Sequence, residues 1–366
     1  MRNIAAVVVC FALAPHNAES LEDSVCEDLE PPIIDLFGST LDSGAILDAT
    51  LSGTGSGVFY LSNCGYLCDL MALESEGAFE DSLSGLFNAG RSDLSSWSSK
   101  SNSRGYIKAG GESGVRSKFY EVKEGYEYGC SQLKDDASRR NKWPRMLPQD
   151  TIVSLDSLFE ELQALKNLLI EKVFAPYLNT KATTVLNPED WERGRSIDLV
   201  RLFNYLECDN SSYLPELGSS PHTDWGLITI ILQPPSSPPA LQLHHPETGT
   251  WVDVPPKAGT VVVNAGDFLQ ILSHVNHEVD ETFRSPLHRV QHCGDTGGAR
   301  KSVVFFSYPR PEMSLHLIKN DIVKKVTKAS RSSEEHHNTL LAEDYSKYDY
   351  FGDWINEKWK GVSTET

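Results

Sequence analysis

Pro221-His222-Thr223-Asp224-Trp225-Gly226 runs straight into Leu227-Ile228-Thr229-Ile230-Ile231-Leu232. The second half is a β-branched apolar run of strand length, so the first half lies where the chain enters a strand. Residues two apart on an extended chain point to the same face. The His222 imidazole and the Asp224 carboxylate can therefore reach one ion together. A third ligand from a distant strand would complete a 2-His-1-carboxylate face with its opposite positions open. His-x-Asp alone is a weak signal, so the weight falls on what surrounds it.

Around this stretch the chain has a β texture. Ile197 to Tyr205, Ala240 to Leu243, Trp251 to Val254, Thr260 to Val263, Phe268 to Leu272 and Val303 to Tyr308 are short runs separated by Gly, Pro, Asn and Asp turns. That spacing predicts an antiparallel sandwich or barrel. Upstream, Leu155, Leu158, Phe159, Leu162, Leu165 and Leu169 recur at helical spacing and predict a long amphipathic helix. Pro31 to Leu36 and Ser56 to Asn63 read as two further strands. Ser92 to Arg104 is serine-rich and reads as a surface loop, and Asp344 to Lys360 as a closing helix. The expected class is α+β with a mainly β core, flanked by N-terminal helices and a C-terminal helix. The expected limits are a leader over 1–20, an N-terminal region over 28–190, a β-domain over 195–312 and a helical extension over 313–366.

Six histidines are available as a third ligand: His244, His245, His274, His277, His288 and His292. The first two flank a hairpin tip, and the next two lie in a polar stretch read as an extended turn. His288 is centred in the strand-like Ser285–Val290, and His292 falls at its end. Beyond them, Arg300-Lys301-Ser302 again places two polar side chains on one strand face. A guanidinium and a hydroxyl converging there suit a carboxylate.

Beyond these readings, the sequence resembles the isopenicillin N synthase-like branch of the 2-oxoglutarate/Fe(II) dioxygenases. The likeness runs through PPIIDL, GVFYLSNCG, KEGYEYG, NKWP, RLFNYL, HTDWGLITIILQ, GTVVVNAGDFLQ, SPLHRV and ARKSVVFF, in the family's order. It implies a double-stranded β-helix (jelly roll), with His222, Asp224 and His288 as iron ligands. It also implies that Arg300 and Ser302, assisted by Tyr205, bind the distal carboxylate of 2-oxoglutarate. The cofactors implied are Fe(II), 2-oxoglutarate and O2, with ascorbate as a stimulating reductant. The reaction implied is oxidation of a small molecule by hydroxylation, desaturation or ring closure (kainoid-type cyclisation among them), releasing succinate and CO2. An oxidase that does not use 2-oxoglutarate is one alternative, because isopenicillin N synthase uses the same Arg-x-Ser pair for its substrate. A catalytically idle jelly roll that binds a small molecule is another. The chain departs from the family at Cys64, in place of a histidine, and at Phe203, where many members have asparagine. The 274–281 turn and the 294–299 loop look enlarged.

Bulk properties agree with an enzyme of small molecules. The 366 residues are 40% hydrophobic and 23% charged, ordinary for a globular chain. The formal net charge of −18 argues against nucleic-acid partners, since the summed field repels phosphate. The expected state is monomeric. Seven scattered cysteines suggest no disulfide framework, and Cys64 and Cys68 read as buried small hydrophobes. Ile4 to Ala14 is apolar, too short to span a bilayer, and of signal-core length. A cytoplasmic location is expected, with secretory or organellar targeting through Met1–Ala14 as the alternative. The Asn210-Ser211-Ser212 sequon matters only on that secretory route.

Overall fold

The computed structural model describes residues 30–36, 41–73, 78–99, 104–111, 118–130, 140–181, 195–207, 214–245, 248–274, 281–291, 300–316 and 347–362. Ile4–Ala14, the sequon, His277, His292 and the centres of both enlarged loops lie outside them. The described residues from Pro31 onward pack as one compact unit.

Among the described residues, one eight-stranded sheet is built from β1 (Ile33–Asp35), β2 (Val58–Ser62), β3 (Gly105–Ile107), β5 (Lys123–Gly129), β6 (Leu199–Tyr205), β9 (Ile228–Leu232), β12 (Thr260–Ala265) and β14 (Arg300–Phe306). Its strands lie in the order β1-β2-β12-β9-β14-β6-β5-β3. A four-stranded sheet contains β8 (Ser219–His222), β10 (Leu241–His244), β11 (Trp251–Asp253) and β13 (His288–Val290), in the order β11-β10-β13-β8. A short parallel pair joins β4 (Tyr120–Glu121) to β7 (Glu216–Leu217). Strands next to each other in the chain repeatedly change sheets, as in the jelly roll.

The period-2 alternation of each strand divides the apolar residues between two layers. Val58, Tyr60, Phe203, Ile231, Val262 and Val304 form the layer shared with Leu241, Leu243 and Val290 of the small sheet. Their neighbours Phe59, Leu61, Leu202, Ile230, Val263, Val303 and Phe305 belong to a larger core that also contains the helices. The expected amphipathic helix forms as α4 (Gln149–Leu169), after α1 (Ser43–Thr50), α2 (Tyr66–Leu73) and α3 (Ala78–Ser92). It runs on through a π-helical turn at Ile170–Phe174 into α5 (Ala175–Lys181). Leu155, Leu158, Leu162, Leu165 and Leu169 are all buried on one stripe, each worth about 1.5–3 kcal/mol against exposure.

One ion pair sits inside this apolar core. Lys166 Nζ of α4 lies 2.9 Å from Asp198 Oδ2, with both side chains at 1% exposure or less. Asp198 also accepts from Gln163 Nε2, Ser196 Oγ and the Tyr308 N–H. It therefore ties the helix layer to the entry of β6 and the exit of β14. Replacing Asp198 with Ala would strand a buried ammonium without its carboxylate. The expected loss is about 3–5 kcal/mol, read as a lower urea midpoint.

Three expectations are corrected. Phe268–Leu272 is not a strand but the middle of α6 (Asp267–His274). Its apolar residues fit both periods over so short a run, and Phe268 packs on Phe351 and Trp354 of the closing helix. Cys64 and Cys68 are buried as expected, yet they are joined in a disulfide. Four residues apart, they meet because the chain folds from β2 directly into α2, with Gly65 at φ 64° between them. The Ser92–Arg104 stretch is not wholly a surface loop. Leu94–Ser96 forms a 3-10 turn capped by Asp93, and Arg104 is buried beside Glu127. The closing helix forms as α7 (Phe351–Val362), whose Phe351 packs on Phe268 with ring centroids 4.8 Å apart. Among the described residues, no helix is long and apolar enough to cross a membrane.

Candidate metal centre and cavity

β8 and β13 are antiparallel neighbours in the small sheet, and their register sets His222 directly opposite His288. The two imidazole centroids lie 4.3 Å apart. Asp224 follows the end of β8, and its Oδ1 lies 3.8 Å from Nε2 of each histidine. One donor atom from each of the three residues falls within 4.8 Å of the others. In each ring Nδ1 faces a backbone carbonyl two residues back, Ser220 O at 2.7 Å and Pro286 O at 3.0 Å. A carbonyl can only accept, so Nδ1 carries the proton and the Nε2 lone pair points to the shared centre.

Asp224 is oriented from the other side. Asn264 Nδ2 on β12 donates to its Oδ2 at 2.9 Å, which leaves Oδ1 toward the histidines. The Asp267 N–H donates to the Asp224 carbonyl at 2.7 Å, and Thr223 Oγ1 donates to Asp267 Oδ2 at 3.1 Å. The intervening turn is thereby locked. Burial pushes the Asp267 carboxyl up to about 6. At Gly226 an added Cβ would lie 2.3 Å from the Ser307 carbonyl oxygen, so only glycine lets the chain pass the end of β14.

The electrostatics suit ligation. Burial first, then the neighbouring His288, pulls the His222 pKa down to about 4. Although 42% of the His222 side-chain surface opens to the cavity, both causes favour the neutral ring a metal requires. Burial alone would raise the Asp224 carboxyl, but His288, His222 and the Asn264 amide outweigh it and hold the group below its usual range.

On the large sheet, Arg300 of β14 pairs with Tyr205 of β6, and Ser302 pairs with Phe203. Arg300 is 1% exposed. Its Nη2 donates to Gln233 Oε1 at 2.7 Å, and its guanidinium lies 4.7 Å from the Tyr205 ring centroid. Arg300 Nε and Nη1 and Ser302 Oγ are buried with no hydrogen-bond partner. Such orphaned donors are costly unless a ligand meets them. They face the same cavity, about 390 Å³ in volume, that the histidines and Asp224 line.

The remaining candidates are elsewhere. His244 packs edge-on against Trp251, and His274 Nδ1 turns back to the Gln270 carbonyl at the end of α6. Arg289 lies over Trp251 and bonds Gln242, on the strand face away from the cavity. Three residues around the site escaped the sequence reading: Gln233, which holds Arg300; Asn264, which holds Asp224; and Lys123 in the cavity wall, paired with Glu121 at 2.8 Å. The first two had a signal. Each is a polar residue in the inward phase of an apolar strand, two positions beyond Ile231 and Val262.

Residues 197–309, which hold both clusters, match the family model described as the 2OG-Fe(II) oxygenase superfamily. Those residues therefore form a 2OG-Fe(II) oxygenase domain. The oxygenase is 27% identical over 255 residues to a 2-oxoglutarate-dependent dioxygenase of Didymella fabae, covering 66% of this chain and 71% of the relative. With other curated relatives the alignment spans only 34–61% of the relative's own length. Its fold matches a full-length Neurospora crassa protein solved in complex with alpha-KG, at a TM-score of 0.63 and 22% identity, covering 91% of this chain and 97% of that one. It also matches JOX2, solved with 2OG, Fe and JA, at a TM-score of 0.56 and 25% identity, covering 82% of each chain. The oxygenase is thus an oxidoreductase whose cofactors are those of its family, Fe(II) and 2-oxoglutarate, with O2.

Proposed function

We propose that His222, Asp224 and His288 hold Fe(II), and that Arg300 and Ser302, with Tyr205 beside them, hold the distal carboxylate of 2-oxoglutarate. The oxygenase would then oxidise a small molecule by hydroxylation, desaturation or ring closure, releasing succinate and CO2. One observation carries this reading. The converging His222 Nε2, His288 Nε2 and Asp224 Oδ1 share a cavity with three buried, unpartnered donors of Arg300 and Ser302. Two nitrogens and one carboxylate suit iron and leave coordination positions for a 2-oxo acid and O2, and the orphaned donors suit a carboxylate.

When bound, iron with 2-oxoglutarate would supply the oxidant through O2 activation coupled to decarboxylation. The chain's own residues do the rest. The Ser220 and Pro286 carbonyls fix the ring tautomers, and Asn264 fixes the carboxylate. Gln233 aims the Arg300 fork, and Phe203, Ile231, Leu241 and Val304 give the cavity its apolar wall. A cavity of this size accommodates small molecules.

Asn264→Ala frees Oδ2 of Asp224 to rotate without touching any ligand atom. Iron affinity is expected to fall about 10–100-fold, measured by competition with a colorimetric chelator, with the far-UV spectrum unchanged. The decisive test of the whole reading is anaerobic addition of Fe(II) and then 2-oxoglutarate to the apo-protein. A weak visible charge-transfer band is the expected result. Iron binding without that band would leave an oxidase that does not use 2-oxoglutarate, and failure to bind iron would leave a binding protein.

A further inference from the structure

On β6, Arg201, Phe203 and Tyr205 alternate onto the cavity side, and each faces a partner on β14: Val304, Ser302 and Arg300. Arg201 and Tyr205 are four residues apart, roughly 13 Å along the strand. Arg201 is therefore too far from the Arg300 row to share a carboxylate with it. The bland account of Arg201 is an ion pair, since its Nε lies 2.9 Å from Glu127 Oε2. That account leaves its position unexplained. The side chain keeps 19% of its surface accessible and lines the cavity.

Its neighbours there are aromatic. The Arg201 guanidinium lies 5.8 Å from the Phe306 ring centroid. Phe306 is stacked on Tyr308 at 6.4 Å and an interplanar angle of 21°, and Tyr308 meets Trp359 edge-on at 5.9 Å. Trp225 lines the same cavity. Flat faces beside a cation make a slot for a ring that ends in an anion. Charge points the same way. The lining has three cations (Lys123, Arg201, Arg300) against two carboxylates (Glu121, Asp224). This holds although the whole chain carries a formal −18.

We infer that the molecule to be oxidised is a ring-bearing carboxylate, its ring among Phe306, Tyr308, Trp359 and Trp225 and its carboxylate on Arg201. The inference deepens the proposed function and rests on it for the chemistry. Binding itself can be read without metal, because Trp225 and Trp359 in the wall report by fluorescence.

The test titrates apo-protein, without iron, with trans-cinnamate and indole-3-carboxylate, and with the neutral amides of both. The acids should quench tryptophan emission with at least tenfold lower Kd than their amides. Arg201→Gln should bring acid and amide to near parity, Arg201→Lys should keep part of the preference, and Arg300→Met should keep all of it. Equal binding of acid and amide by the wild type overturns the inference, as does failure of either acid to bind. A preference that survives in Arg201→Gln, or disappears in Arg300→Met, overturns it too, since the acid would then sit elsewhere or in the co-substrate's place. The wild-type comparison needs no variant to fold. The Fe(II)/2-oxoglutarate band, recorded separately, tells failure of the iron reading from failure of this one.

Discussion

An Asp224→Ala variant is expected to lose iron affinity by more than about 100-fold and to fall to background in succinate formation, while remaining folded. The size follows from geometry. Asp224 Oδ1 is the point equidistant from both histidine Nε2 atoms, at 3.8 Å each. Without it two neutral imidazoles remain, and a 2-His pair lacks both the charge and the third position that fix a facial site. Removing a residue that merely supports a ligand costs about 10–100-fold, so losing a ligand must exceed that. The fold should tolerate the change. Asn264 Nδ2 loses the shorter of its two hydrogen bonds and keeps the one to the Ala265 carbonyl, a cost of at most about 1–3 kcal/mol, within the stability of a typical domain. Chelator competition and a succinate assay measure the two effects. Iron binding within a few-fold of wild type would remove Asp224 from the site.

How far the sequence foretells this arrangement depends on the kind of signal each residue carries. Strands are legible where a short apolar run is bracketed by turn residues, as in Thr260–Val263 between Lys257-Ala258-Gly259 and Ala265-Gly266-Asp267. The apolar Phe268–Leu272 is bounded in the same way by Gly266 and Asp267, yet it folds as a helix, because so short an apolar run fits both periods. His222 and Asp224 could be paired because their relation is local, two residues on one chain. His288 could be placed among six histidines only by likeness to a family. Its partnership depends on β13 lying against β8, a non-local register. Gln233 and Asn264 sit in the same class as His288, since the groups they hold are 67 and 40 residues away in the chain. The Cys64–Cys68 disulfide was overlooked for the opposite reason. Seven scattered cysteines suggest no framework and make the pair read as small hydrophobes, whereas the turn from β2 into α2 brings the two sulfurs together.

Arg300→Met should separate stability from function in opposite directions. In the ligand-free protein Arg300 is a charge at 1% exposure, with one hydrogen bond to Gln233, a ring contact with Tyr205 and two donors unsatisfied. Exchanging such a group for an apolar side chain of similar length is often neutral or stabilising, because the desolvation of the charge is relieved. The ligand-free variant should therefore unfold within about 1 kcal/mol of wild type, or above it. The bound state should behave otherwise. In the wild type, 2-oxoglutarate at 100 times its Kd adds roughly 2.7 kcal/mol to stability by mass action. The variant should lose that gain, because truncating one side of a buried charge pair costs about 2–5 kcal/mol of binding, or roughly 30- to several-thousand-fold in Kd. Thermal unfolding with and without 2-oxoglutarate reads both halves in one experiment. A variant still stabilised by 2-oxoglutarate as the wild type is would take Arg300 out of the co-substrate site. One that is several kcal/mol less stable when ligand-free would mean that the orphaned donors serve the fold instead. The combination of a stable apo-protein with a lost ligand response is what distinguishes a residue held in waiting for an anion from one that supports the barrel.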